Sequence, residues 1–202
     1  MGLEFYVNEH VLIPRQDTET LVELVLSEHK EKNISLLDVC TGSGCIAISL
    51  AKLGGYTDVT ALDLSEEALK VARSNGEKLL DQPVKFIKSD MFSALNPEKQ
   101  YNVIVSNPPY IPSQVIEGLE PEVKDHEPRM ALDGEPDGLK FYRILAEEGK
   151  KYLKNGGSIY MEIGWDQAKD VTEIFEAMGF SGRRTVRDMA GNDRVVCARK
   201  EK

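Results

Sequence analysis

Cysteine is scarce in this sequence: 202 residues contain only Cys40, Cys45 and Cys197, none of them in a CxxC pair. An odd count without that spacing suggests neither a disulfide framework nor a zinc site, and the cytoplasm is the expected compartment. The chain also lacks an apolar run approaching a membrane span, and its amino terminus lacks the basic-then-apolar order of a secretory leader. No linker-like stretch, repeat or low-complexity tract divides it, so one domain over residues 1–202 is expected, with length enough for a sizeable core. Positive charge is in deficit too, 25 Lys and Arg against 34 Asp and Glu for a net −9. That balance argues against a broad phosphate-gripping face, and no stable nucleic-acid binding is expected. The basic residues late in the chain (Lys169, Arg183, Arg184, Arg187, Arg194, Arg199, Lys200, Lys202) read as solvated strand rims and a tail.

What the chain has is alternation. Short apolar runs rich in Val and Ile, at 35–40, 59–64, 84–90, 101–107 and 158–164, read as strands buried on both faces. Helix-period segments lie between them, which points to α/β units. Thr20 with Glu23 forms a candidate capping box, Ser65 with Glu66 and Glu67 starts a second helix, and Val171, Ile174, Phe175 and Met178 stripe a third that Gly179 stops. Two last runs, RTVRD and DRVVCARK, flank a turn at Gly191 and Asn192 and predict a hairpin, hence an antiparallel strand in the sheet. The opening LEFYVNEHVLI alternates about its NE and predicts a small hairpin within residues 1–13.

Two motifs carry chemistry. In DVCTGSGCIAISLAK, Gly42, Gly44 and Ala47 match G-x-G-x-x-A between a strand and a helix, and Asp63 closes the next strand 21 residues after Gly42. Glycines allow a tight turn and close ligand approach, the helix start offers unpaired N–H groups, and a carboxylate there can accept from ribose hydroxyls. NAD and S-adenosylmethionine both fit this pattern. The second motif decides between them: VIVSNPPYIP ends the fourth strand in Asn107, Pro108, Pro109 and Tyr110. An amide or exocyclic amine nitrogen has its lone pair delocalised and is a poor nucleophile. The Asn107 side-chain oxygen and the Pro108 carbonyl can accept its two N–H bonds, the prolines stiffen the loop, and Tyr110 can stack on the planar group. Ser89 to Phe92 ends the third strand, where Asp90 could frame an adenine or simply cap a loop.

NPPY, LIPRQDTE (12–19), DVCTGSGCIA (38–47) and HEPRMALDGEPDGLKFYRI (126–144) together resemble the HemK/PrmC family. These enzymes use S-adenosylmethionine to methylate the glutamine side-chain nitrogen (N5) in the GGQ motif of peptide chain release factors. NPPY alone is shared with nucleic-acid amino-methyltransferases, so the specificity lies in the other segments. The resemblance implies a Rossmann-like class I methyltransferase fold, with seven strands, mostly parallel, and an antiparallel last strand. By similarity Thr41, Gly42, Ser43 and Gly44 line the methionine portion of the cofactor, Asp63 takes the ribose, and Asp90 and Met91 neighbour the adenine, with Cys40 and Leu64 also among the cofactor-binding residues. Asn107 to Tyr110 hold the substrate glutamine, with Asn107 also against the cofactor. Arg15 and Thr18 help to close the cofactor site, although Thr18 reads equally as a helix-start residue. Cys40 stands where many methyltransferases have a glycine. Family members usually begin with a helical domain that contacts the release factor, whereas this chain starts at the expected hairpin, which leaves a catalytic domain with the release factor as protein substrate. A nucleic-acid amino-methyltransferase is the alternative enzyme, and a nicotinamide oxidoreductase or an inactive cofactor-binding domain the alternative of another class.

Overall fold

The strand-like runs become a single seven-stranded sheet in the computed structural model, which describes residues 1–124 and 126–201. The strands are β1 (Ser35–Val39), β2 (Asp58–Asp63), β3 (Lys85–Lys88), β4 (Tyr101–Ser106), β5 (Leu153–Glu162), β6 (Phe180–Arg187) and β7 (Asp193–Lys200). Their order is β3-β2-β1-β4-β5-β7-β6, parallel except at β7, which runs antiparallel to both β5 and β6. The expected hairpin is present, with Gly191 at φ 88° in its turn. The helices are α1 (Glu19–Glu28), α2 (Cys45–Gly54), α3 (Glu66–Leu79), α4 (Ser113–Ile116), α5 (Pro121–Lys124), α6 (Arg129–Leu132), α7 (Lys140–Glu147), α8 (Gly149–Tyr152) and α9 (Ala168–Ala177). Among the described residues no helix is long and apolar enough to cross a membrane.

Alternate strand residues feed two cores, one on each face of the sheet, as the period of two requires. Leu36, Val59, Val103 and Val105 pack with Leu21, Val22 and Val25 of α1 and Ile46, Ala47 and Leu50 of α2. Leu37, Leu62, Ile104 and Met161 pack on the other face with Tyr142 and Leu145 of α7 and Val171 and Phe175 of α9. The Ser65 hydroxyl caps α3 by accepting from the Ala68 N–H, and Gly179 follows α9 at φ 70°. Of the carboxyl-terminal basic residues, Arg183 pairs with Glu176 of α9, Arg184 with Glu28 of α1 and Arg187 with Asp193, whereas Arg194 is no solvated rim residue: it is buried and pairs with buried Asp188. Lys202 lies outside the described residues.

Two local expectations are overturned. Residues 1–13 form no hairpin: the chain turns at Asn8, whose carbonyl accepts from the Val11 N–H, but the flanking segments do not pair. Their backbone groups go instead to Asn75 of α3, which accepts from the Tyr6 N–H at 2.8 Å and donates to the Tyr6 carbonyl at 3.0 Å, while Val11 packs against Ala68 and Val71. One buried amide thus takes the place of a partner strand. The capping box at Thr20 is also absent, because a 3-10 turn over Gln16–Thr18 leads directly into α1 and puts Thr20 inside the helix.

After β4 the chain enters NPPY and pairs once more, as a parallel bridge between Ile111 and Asp133. Gly134 and Gly138 of the ALDGEPDGL segment lie against Tyr110. A Cβ on Gly138, whose φ is 71°, would sit 2.4 Å from the Tyr110 carbonyl oxygen, and one on Gly134 would sit 2.8 Å from the Tyr110 backbone. Gly138→Ala therefore adds a backbone clash to left-handed strain of roughly 1–3 kcal/mol. Chemical denaturation should show a loss of at least that size.

Candidate active site

The sheet order reverses between β1 and β4, and a ligand crevice belongs at the carboxyl ends of the strands at such a point. A cleft opens there, lined by residues that follow β1, β2, β3 and β4 in turn. Of the expected cofactor residues, Arg15, Thr18, Cys40, Thr41, Gly42, Ser43, Asp63, Leu64, Asp90, Met91 and Asn107 all face this cleft. Gly44 does not: it is buried, and a Cβ there would meet Ile48 at 2.8 Å and Ala72 at 3.2 Å. Its role is to let α2 approach α3, which the glycine spacing alone does not distinguish from ligand contact.

The loop after β1 is held by two carboxylates. Asp63 accepts from the Gly42 N–H at 2.8 Å and from the Ser65 N–H at 2.8 Å. Each oxygen keeps a lone pair, so ligand hydroxyls can still be accepted. Burial raises its pKa while those N–H bonds act against the rise. Asp38, fully buried at the end of β1, accepts from the Thr41 hydroxyl at 2.6 Å and from the Ala47 N–H at 3.2 Å. Gly42, at φ 55°, has open space where a Cβ would project, so a ligand can lie directly on the backbone there. Cys40 takes the glycine-like φ of 62° itself, and Met91 across the cleft has φ 46°; their sulfur atoms are 3.9 Å apart. Non-glycine residues held in that region are costly and concentrate at ligand sites. Burial pushes the Cys40 thiol far up, so it stays protonated.

NPPY alternates between two spaces. Pro109 faces the cleft, Pro108 and Tyr110 face a second pocket beside it, and Asn107 lines both. Burial pushes the Tyr110 phenol up to about 12. Its carbonyl accepts from Gln167 Nε2 at 3.0 Å, while Gln167 Oε1 accepts from the Gly164 N–H. Arg15 and Thr18 do more than border the cleft. Arg15 donates to buried Glu127 at 2.6 Å and so ties the chain ahead of α1 to the segment ahead of α6. Thr18, at the start of α1, makes no cap hydrogen bond, and its hydroxyl accepts instead from Asn107 Nδ2 at 3.5 Å.

Sequence reading missed Glu162, Glu127 and Gln167. Glu162 closes β5, is 2% exposed and lines the second pocket. Burial pushes its pKa up to about 7 against hydrogen bonds from Thr18 and Asn107. A carboxylate at the end of an otherwise apolar buried strand, MEIG, was a visible signal for it. Glu127 sits within the HEPR segment that carries part of the resemblance, which gave it no individual role, and Gln167 lies two residues past an exposed tryptophan, with nothing in its local pattern to mark it.

Comparison with known proteins follows the same line. The profile of the family described as "Methyltransferase small domain" matches residues 16–118. The release factor glutamine methyltransferase of Fusobacterium nucleatum is 44% identical over 204 residues, covering 98% of this chain and 56% of that protein. The protein of the same name from Clostridium acetobutylicum is 44% identical over 201 residues, covering 98% of this chain and 70% of that one. The chain thus spans little more than half of the first and about two thirds of the second. The crystal structure of a release factor-specific protein-(glutamine-N5) methyltransferase from Alicyclobacillus acidocaldarius superposes with a TM-score of 0.58 at 31% identity, over 98% of this chain and 100% of that one.

Burial pushes both Asp38 and Glu162 up to about 7, well above the ordinary carboxylate range near 4. The folded state therefore holds more protons than the unfolded chain between about pH 4 and 7, and these two groups make stability fall as pH rises through that window. The expected loss is on the order of a few kcal/mol. Thermal melts across the window should show it, and Asp38→Asn should flatten the slope; an unchanged slope would count against a buried, protonated Asp38.

Proposed function

The chain belongs to the release factor glutamine methyltransferase family, and we propose that it methylates the side-chain amide nitrogen (N5) of the glutamine in the GGQ motif of peptide chain release factors. The observation that carries this reading is the position of Asn107, in the wall common to the cofactor cleft and the second pocket. A group presented through the second pocket meets a cofactor in the cleft at that residue.

S-adenosylmethionine, when bound, supplies an electrophilic methyl group on sulfur. The cleft suits it in three respects: open backbone at Gly42, a half-buried acid at Asp63 for ribose hydroxyls, and Asp90 with Met91, just after β3, for the adenine. The protein's contribution is to orient a poor nucleophile. The lone pair of the glutamine amide is tied up in the resonance that gives an amide its ~18–20 kcal/mol rotational barrier. Acceptors at Asn107 Oδ1 and the Pro108 carbonyl would hold its two N–H bonds and favour positive charge on the nitrogen, which exchanges one held proton for the methyl as the methyl's bond to sulfur breaks. Two adjacent prolines keep those oxygens from reorienting. Tyr110, un-ionised at neutral pH, offers a ring face to the planar amide and adds no charge.

Two measurements test this reading. Calorimetry should detect S-adenosylmethionine and S-adenosylhomocysteine but not NADH, and Asp63→Ala should weaken cofactor binding by about 1.5–3 kcal/mol, the worth of charge-assisted hydrogen bonds. Binding of NADH alone would overturn the cofactor assignment. With radiolabelled methyl donor, label should enter a release factor and not an oligonucleotide; label on the oligonucleotide would favour the nucleic-acid enzyme. Asn107→Ala should lower kcat by roughly 10²–10³ while leaving the cofactor Kd nearly unchanged. A near wild-type kcat would remove Asn107 from the mechanism.

A further inference from the structure

An asparagine amide has two chemically different ends of nearly the same shape. Only the oxygen can accept from a substrate N–H; the NH₂ end would oppose it. Something must therefore choose which end of Asn107 faces the substrate. Asn107 Nδ2 donates toward the Thr18 hydroxyl, and both side chains hydrogen-bond to Glu162. Glu162 is buried at the end of β5 in the wall of the second pocket, and its Oε2 has no partner among the described residues.

We infer that Glu162 is a positioning residue that turns the Asn107 amide so that Oδ1 faces the substrate nitrogen. An ionised carboxylate only accepts. Against it Asn107 can present only its NH₂ end, and Thr18 only its hydroxyl hydrogen, which leaves the Thr18 lone pairs turned toward Asn107. Every proton in the triad is then directed, and the sole end of Asn107 left over is its oxygen. Protonating Glu162 makes it a donor and removes the bias. Around it stand Arg194 of β7 and Asp17 ahead of α1, with Tyr110, Tyr142 of α7 and Cys45 of α2 as the other titratable groups. Arg194 is itself committed to Asp188 at 3.1 Å and Asp17 at 3.4 Å, so it supports the ionised form without bonding to it.

This inference rests on the proposed role of Asn107 in catalysis, and its test separates the two. Glu162→Gln keeps the volume but can donate as well as accept, so either end of Asn107 can face the substrate. It should keep the cofactor Kd and lose kcat by up to about 10²-fold, the scale of a misaimed reacting group. Wild-type kcat should rise with pH through about 7, and that limb should vanish in Glu162→Gln and persist, shifted, in Glu162→Asp. A purely structural role would change stability without removing the limb. Independently of turnover, the side-chain NH₂ resonances of Asn107 in ¹⁵N-labelled wild-type protein should move with pH about the same midpoint. Those resonances decide the matter if Glu162→Gln fails to fold or if the wild type proves inactive on release factors, in which case the proposed function falls alone. A Glu162→Gln enzyme within about twofold of wild-type kcat, or Asn107 resonances indifferent to pH around 7, would overturn the inference.

Discussion

Two adjacent prolines remove two backbone donors from the segment that carries the site, so nothing within that segment can hold it in place. Its position has to be imposed from outside. Ser106, the last residue of β4, donates its hydroxyl to the Val39 carbonyl of β1 at 2.7 Å. Downstream, Ile111 bridges to Asp133, and Gln167 grips the Tyr110 carbonyl. Gly134 and Gly138 bring their backbone closer to Tyr110 than any side chain would permit. Three of these contacts, from Gln167, Gly134 and Gly138, converge on the Tyr110 backbone.

The same logic extends across the cleft. The glycine loop is not self-supporting either: Asp63 and Asp38 reach it from two strands and accept from Gly42, Thr41 and Ala47. The site is thus a pair of loops, each held by polar groups that lie outside it. Keeping Asp38 and Glu162 out of water raises their pKa values, and the raised values make stability sensitive to pH below and near neutrality. Surface electrostatics is secondary. Arg183, Arg184, Arg187 and Arg194 of the carboxyl-terminal strands each meet an acidic partner.

Much of this was legible in the residues. Strands buried on both faces read as Val and Ile runs, the hairpin at Gly191 forced an antiparallel β7, and the sequence positions of the glycine loop, Asp63 and NPPY placed them at successive strand ends. Each of these signals is local, because period, turn chemistry and motif spacing lie within a few residues of one another. Two local signals failed against rivals of different reach: the alternation in residues 1–13 lost to the long-range pull of Asn75, and the Thr20 box lost to the turn that precedes it.

Tertiary structure alone decided the partnerships. Arg15 meets Glu127 from 112 positions away, Thr18 meets Asn107 from 89, and Gln167 meets Tyr110 from 57. No periodicity or spacing rule connects such pairs, since their approach depends on how the sheet is ordered and on which loops overhang its carboxyl edge. Gly44 illustrates the point from the other side: its spacing is that of a ligand-binding glycine, and only the packing of α2 on α3 shows that its missing side chain serves the core. The sequence by itself determined the elements, the fold class and the chemistry on offer; the folded chain determined which acceptors are aimed, because aim is a relation between residues that the linear order keeps far apart.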